Sequence, residues 1–138
     1  MSISEMYLID TNVISAARRP ERAPRVAAWL ADRPEDALYL SAVTIGEIAR
    51  GIRLQEGRNP DFAADLSAWL ARTTGVFADR ILPFTAEDAA IWGRLSADLG
   101  HAGADLMIAA QALARGWTVV TGNVSDFAPT GVTVEDPF

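Results

Sequence analysis

The ten residues MYLIDTNVIS, Met6 to Ser15, decide the fold. Their first four, Met6 to Ile9, form an apolar run too short for a helix and suited to a buried strand. Asp10, Thr11 and Asn12 follow at once, and all three are residue types that suit a helix N-cap. The stretch therefore predicts a strand turning directly into a helix, with a carboxylate where the strand ends. In an open parallel α/β sheet, ligands bind in the crevice beyond the carboxyl ends of the strands. Asp10 is either a cap for its own helix or a member of such a site, and these ten residues alone leave both open.

Further along the chain, the same alternation recurs. ARRPERAPR (Ala17 to Arg25) carries two prolines and four arginines and predicts an exposed break before an amphipathic helix through Val26, Trp29 and Leu30. ALYLSA predicts a second strand, and Ser41 then caps a helix whose Ile45, Ile48 and Ile52 share one face. Asn59-Pro60 opens another helix, with Phe62, Leu66, Trp69 and Leu70 turned toward a core. RILPF is a third strand, and Thr85 with Asp88 resembles a capping box ahead of the Ile91, Leu95, Leu99 stripe, which Gly100 closes. Ala104 to Arg115 is helical by composition, Gly116 stands at its C-terminal cap, and WTVVT and VTVED are the last strands. Strands alternating with helices imply an α/β fold, because parallel neighbours need crossover helices. With no repeat, low-complexity tract or linker, residues 1–138 read as one domain: a parallel sheet of about four to five short strands with helices on both faces.

Composition excludes several chemistries. There is no Cys, so disulfides and thiolate metal sites are ruled out, and any metal must be held by oxygen. All twelve basic residues are Arg, which rules out a phosphate-loop lysine, a Schiff-base lysine and the lysine of a phosphoacceptor receiver domain. A net charge of −6 argues against nucleic-acid binding through a broad basic surface, while leaving room for a local basic rim. No apolar run approaches the roughly 18 residues of a membrane span, and the opening residues lack a basic and then apolar signal segment. A soluble, cytoplasmic protein with no membrane partner is expected.

Four acids draw the functional reading. Asp10 and Asp126 are placed at or after strand ends, Glu47 lies beside Ile48 in its helix, and Asp105 lies in the first turn of a helix rich in Ala, Leu and Ile. Each has a plain structural alternative: Asp10 as a cap, Asp105 as a charge favoured by the helix dipole, Glu47 as a solvated helix residue, Asp126 as a turn residue. Together they carry more. Two carboxylates about 4 Å apart repel by about 4 kcal/mol at an effective dielectric near 20, so converging acids demand protons or cations. Oxygen-only ligation suits Mg²⁺ or Mn²⁺, which keep several waters and bind through a few carboxylates and substrate phosphates. In outline that is a phosphodiester-cleaving site.

LIDTNVIS (Leu8 to Ser15), SAVTIGEIARGI (Ser41 to Ile52) and ADLMIAAQALARGWTVVTGNVSDF (Ala104 to Phe127) resemble, in order and separation, the PIN-domain ribonucleases, and most closely the VapC-type toxins of bacterial toxin–antitoxin pairs. The resemblance covers almost the whole chain. It implies that Asp10, Glu47, Asp105 and Asp126 are the catalytic acids and hold Mg²⁺, with Mn²⁺ as a substitute, and that Thr11, Asn12, Thr121 and Asn123 are their polar neighbours. It also implies an RNA substrate cut to 5′-phosphate and 3′-hydroxyl ends, a small cognate antitoxin that covers the site, and a homodimer built through apolar helices. Two positions depart from the family pattern: Gly122 stands where many relatives carry a basic residue, and Ala104 where many carry Pro.

Other residues weigh less. His101 lies in the polar turn LGHAGA, and a metal-activated water needs no histidine base. Arg50 and Arg53 are candidate RNA contacts, against the default of a solvated or partner-facing surface. The four tryptophans fall on apolar faces or at a strand start, where packing is the simpler role than base stacking. The rival to a toxin endoribonuclease is a catalytically silent PIN-like module that binds RNA or protein, and four intact acids count against it.

Overall fold

The computed structural model describes residues 5–138. Five parallel strands lie in the order β3-β2-β1-β4-β5: β1 is Tyr7–Ile9, β2 Leu38–Ser41, β3 Ile81–Leu82, β4 Thr118–Val120 and β5 Val134–Glu135. β1 is central, with Tyr7 opposite both Leu38 and Thr118. Successive strand residues point to opposite faces, so Tyr7 and Ile9 enter one apolar cluster with Val13, Val26, Leu40, Ile48 and Ile52, while Leu8 enters a second with Ile108, Ala109, Val119 and Phe127. Both faces of the sheet are covered, as strands this apolar require.

Among the described residues, seven α-helices supply the cover. α1 (Thr11–Ala17), α2 (Pro24–Ala31), α3 (Ala42–Glu56) and α4 (Pro60–Val76) contribute to the first cluster, and α5 (Ala86–Leu99), α6 (Ala104–Arg115) and the one-turn α7 (Val124–Phe127) to the second. Their ends follow the sequence. Ser41 accepts a hydrogen bond from the Val43 N–H, Asn59 from the Phe62 N–H, and Thr85 and Asp88 form a reciprocal capping box. α6 stops at Gly116, which takes the left-handed φ of 70° that a side chain would oppose.

One segment differs from expectation. TGNVSDF reads as a loop, yet its second half is α7, with Asp126 in that single turn. Four residues are too few to show a helical period, so the sequence carries no signal for it. Among the described residues, no helix is long and apolar enough to cross a membrane.

Candidate active site

The strand order reverses around β1: the chain leaves it for β2 on one side, and β4 pairs on the other. The crevice at such a reversal is where open α/β sheets bind ligands. Asp10 and Thr121 are the first residues beyond the ends of β1 and β4, and the ladder extends to them, since the Asp10 N–H donates to the Val120 carbonyl at 2.9 Å. The Thr121 hydroxyl donates to Asp10 Oδ2 at 2.8 Å, and the Thr11 N–H donates to Asp10 Oδ1 at 2.8 Å. Asp10 thus caps α1 and also faces the crevice; the two readings of MYLIDTNVIS are one geometry.

Only 3% of Asp10 is exposed. Burial, and after it the charges of Asp105 and Glu47, push its carboxyl from 3.8 up to about 6, against the hydrogen bonds from Thr121 and Thr11 that favour the anion. The Asp105 carboxyl is also raised, by partial burial first, then by Asp126 and Glu47, with His101 acting in the opposite sense. Asp10, Glu47 and Asp105 therefore act on one another's charge, and Asp126 acts on Asp105. Desolvation, rather than the mutual repulsion expected from the sequence, is the leading cause of both shifts.

The four acids are held differently. α3 presents Glu47, whose Oε1 accepts from the Thr11 hydroxyl at 2.6 Å, and the Thr44 hydroxyl lies 3.1 Å from that same oxygen of Thr11. α6 presents Asp105 in its first turn with no side-chain cap on the helix, so the carboxylate is not spent on local bonding. Asp126 is exposed on α7. The Asn123 N–H donates to Thr121 Oγ1 at 2.9 Å, and Asn12 Oδ1 accepts from the Gly122 N–H at 3.5 Å. Arg50 and Arg53 are exposed on α3, and Arg53 is in an ion pair with Glu56. Exposed His101 accepts a long bond from the Gly103 N–H at its Nδ1.

Among the described residues, no three carboxylates or imidazoles stand close enough to form a metal cage unaided. Mg²⁺ binds through one or two carboxylates and keeps waters for the rest, so it needs no such cage. The donors are all oxygen, and a buried carboxylate with like charges around it gains most from a cation. The residues present fit such an ion.

Two participants were not visible in the sequence. Thr44, fully buried, supports Thr11; its only signal is its place three residues before Glu47, on the same helix face. Phe138 packs over Gly122 so closely that a Cβ there would lie 2.8 Å from the ring. Nothing in the order of residues joins these two positions, but the packing gives a reason for glycine at 122.

The PIN domain family pattern matches residues 7–128. The chain is 37% identical to the toxin FitB of Neisseria gonorrhoeae, over 96% of this chain and 99% of that protein. It is 36% identical to the plasmid stability protein StbB of Pseudomonas syringae pv. tomato, with the same coverage of both chains, and 31% identical to the VapC ribonuclease Y4jK of Sinorhizobium fredii, over 96% and 98%. Among solved structures it superposes on FitAcB from Neisseria gonorrhoeae with a TM-score of 0.83 at 37% identity, covering 96% of this chain and 98% of that one. The structure of FitAB bound to an IR36 DNA fragment gives 0.81 at 36%, covering 96% and 95%.

Proposed function

The chain belongs to the PIN-domain family, and from that premise we propose that it is a metal-dependent endoribonuclease acting as the toxin of a toxin–antitoxin pair. The observation that carries this reading is Asp10: a buried carboxylate at the sheet's reversal point, oriented through both oxygens and surrounded by the charges of Glu47 and Asp105. Relatives named as a toxin and as a VapC ribonuclease support the activity. The FitAB and FitAcB structures support a small cognate protein as the partner that restrains this chain.

Asp10 and Asp105 would hold the ion, with Glu47 and Asp126 acting on it through the waters it keeps. When bound, Mg²⁺, or Mn²⁺ in its place, supplies positive charge to the phosphate during in-line attack and makes water a better nucleophile. The protein supplies geometry. Thr121 and the Thr11 N–H fix the plane of the Asp10 carboxylate, so ordering it costs nothing at the moment of reaction. Thr11 and Thr44 set the direction of Glu47. Asp105 and Asp126 would add negative charge that favours a cation there.

The test is purified protein, free of any partner, incubated with RNA in Mg²⁺ or Mn²⁺ and in EDTA. Cleavage is expected only with metal, and Asp10→Asn or Asp105→Asn is expected to lower it at least a hundredfold with an unchanged circular dichroism spectrum. Metal-dependent cutting that persists in both variants would remove these acids from the mechanism. Binding without cutting in the wild type would favour the silent module. In cells, expression is expected to arrest growth and the cognate antitoxin to relieve it.

A further inference from the structure

Four of the twelve arginines, Arg18, Arg19, Arg22 and Arg25, line one cavity of about 520 Å³ together with Ser15 and Phe138. The concentration is unusual for a chain of net charge −6. Among the described residues none of the four is in an ion pair with an Asp or Glu side chain, whereas Arg33, Arg53, Arg80 and Arg115 each are. The segment that carries them is folded on itself: the Arg19 N–H donates to Ala16 O, and the Arg22 and Ala23 N–H groups donate to Arg19 O at 3.0 and 3.2 Å. The backbone origins of the guanidinium groups are therefore fixed relative to α1.

The cavity neighbours a second one that Glu47 lines. That second cavity, of about 340 Å³, is also lined by Thr11 and shares Ser15 and Arg18 with the first. Arg18 closes α1 at the end opposite Asp10, eight residues on, or roughly 12 Å at ~1.5 Å of rise per residue. Phe138 forms the other link, with its ring against Gly122, next to Thr121, and its carbonyl oxygen 3.4 Å from Arg25 Nη1. A strand whose scissile phosphate lies at Asp10 thus meets positive charge and an aromatic ring on leaving the crevice.

We propose that the cavity lined by Arg18, Arg19, Arg22, Arg25 and Phe138 is the subsite that holds the phosphates of single-stranded RNA to one side of the cleaved bond, with the Phe138 ring as a platform for a base. Guanidinium groups suit phosphate because their planar donors match its oxygens in pairs. Base stacking on an aromatic ring adds affinity without demanding a sequence. The acids and the arginines divide the work: the former would hold the cation, and the latter the RNA. The proposal rests on the ribonuclease reading for its ligand.

The experiment separates the two. Asp10→Asn protein in EDTA is titrated into a fluorescent single-stranded 12-nucleotide RNA, and anisotropy is read from 50 to 200 mM salt. Adding Arg22→Gln and Arg25→Gln is expected to weaken binding at least tenfold and to flatten the plot of log affinity against log salt by about 1.4, at ~0.7 per lost phosphate contact. Phe138→Ala is expected to weaken binding severalfold at an unchanged slope, and Arg94→Gln, on α5, to change neither. If the paired variant loses melting temperature, Arg19→Gln with Arg22→Gln, both exposed, replaces it. Unchanged affinity and slope overturn the proposal, even where wild type cuts RNA. Retained RNA binding with loss of binding to poly-glutamate assigns the cavity to an acidic protein segment and overturns it as well. Arginine-dependent binding by a wild type that never cuts leaves this subsite standing and removes the nuclease.

Discussion

Asp10 and Asp88 are both buried aspartates, yet their surroundings push them in opposite directions. At Asp88 burial acts to raise the carboxyl, but bonds from Arg115 and from Thr85 together outweigh it and hold the group below the usual range. Its stabilising effect is present above the ordinary carboxylate value and is lost as pH falls through the lowered one. At Asp10 burial wins, and the group moves from 3.8 to about 6. Between those values the folded chain keeps a proton that the unfolded chain releases, so stability falls as pH rises through the window, by up to about 3 kcal/mol. Asp10→Asn removes that cost, keeps an acceptor for the Thr11 N–H and lets the Thr121 hydroxyl turn to accept. The expected result is a melting temperature several degrees above wild type at pH 7.5 in EDTA, with the gap closing by pH 4.5. A variant that melts lower at pH 7.5 would mean that the fold has already offset the charge. Adding Mn²⁺ at pH 7.5 is expected to raise the wild type and to leave Asp10→Asn nearly unmoved.

α5 and α6 form a pair joined by a polar clasp in which Asp88 is fully buried and Arg115 half-buried. Asp88 near the start of α5 takes Arg115 Nη1 at 2.8 Å from the end of α6, and the same nitrogen donates to the Gln111 carbonyl. Gln111, fully buried, accepts from Ser41 Oγ and donates to the Leu82 and Pro83 carbonyls, which ties α6 to the ends of β2 and β3. Arg115→Met leaves the Asp88 charge without its main partner, at a cost of about 2 kcal/mol at pH 7 that shrinks in acid as the carboxyl is protonated. Urea melts at pH 7 and pH 3.5 check this; an equal loss at both would assign the effect to packing. Elements of this kind were legible from the sequence because local chemistry determines them: caps at Ser41, Asn59 and Thr85, glycine stops at Gly100 and Gly116, and one apolar stripe per helix. Asp10 and Asp105 were legible as odd acids in set positions. Thr44 under Thr11 and the ring of Phe138 on Gly122 were not, because each joins residues that only the sheet order brings together; the four arginines were legible as a run, but not the cavity they line with Phe138.

At the scale of the whole molecule, of the described strands the central one is made first and one of its two neighbours nearly last. β1 pairs with β4, and the bond from Thr121 to Asp10 spans 111 positions of the chain. Glu47 belongs to the early part, Asp105 and Asp126 to the late part. At about 5–20 residues per second of synthesis, the opening strand waits roughly 6–20 s for that neighbour. Chains cut off after Gly116 have β1 with one open edge and lack Thr121 and Asp126, and they are expected to be harmless when expressed and to show no cooperative melt. Growth arrest by such a fragment would overturn this order of assembly. The topology therefore acts as a delay built into translation: a ribosome making this protein completes the acidic site only with the last strands, and the interval before they emerge is time in which a cognate antitoxin already present can meet the chain as it closes.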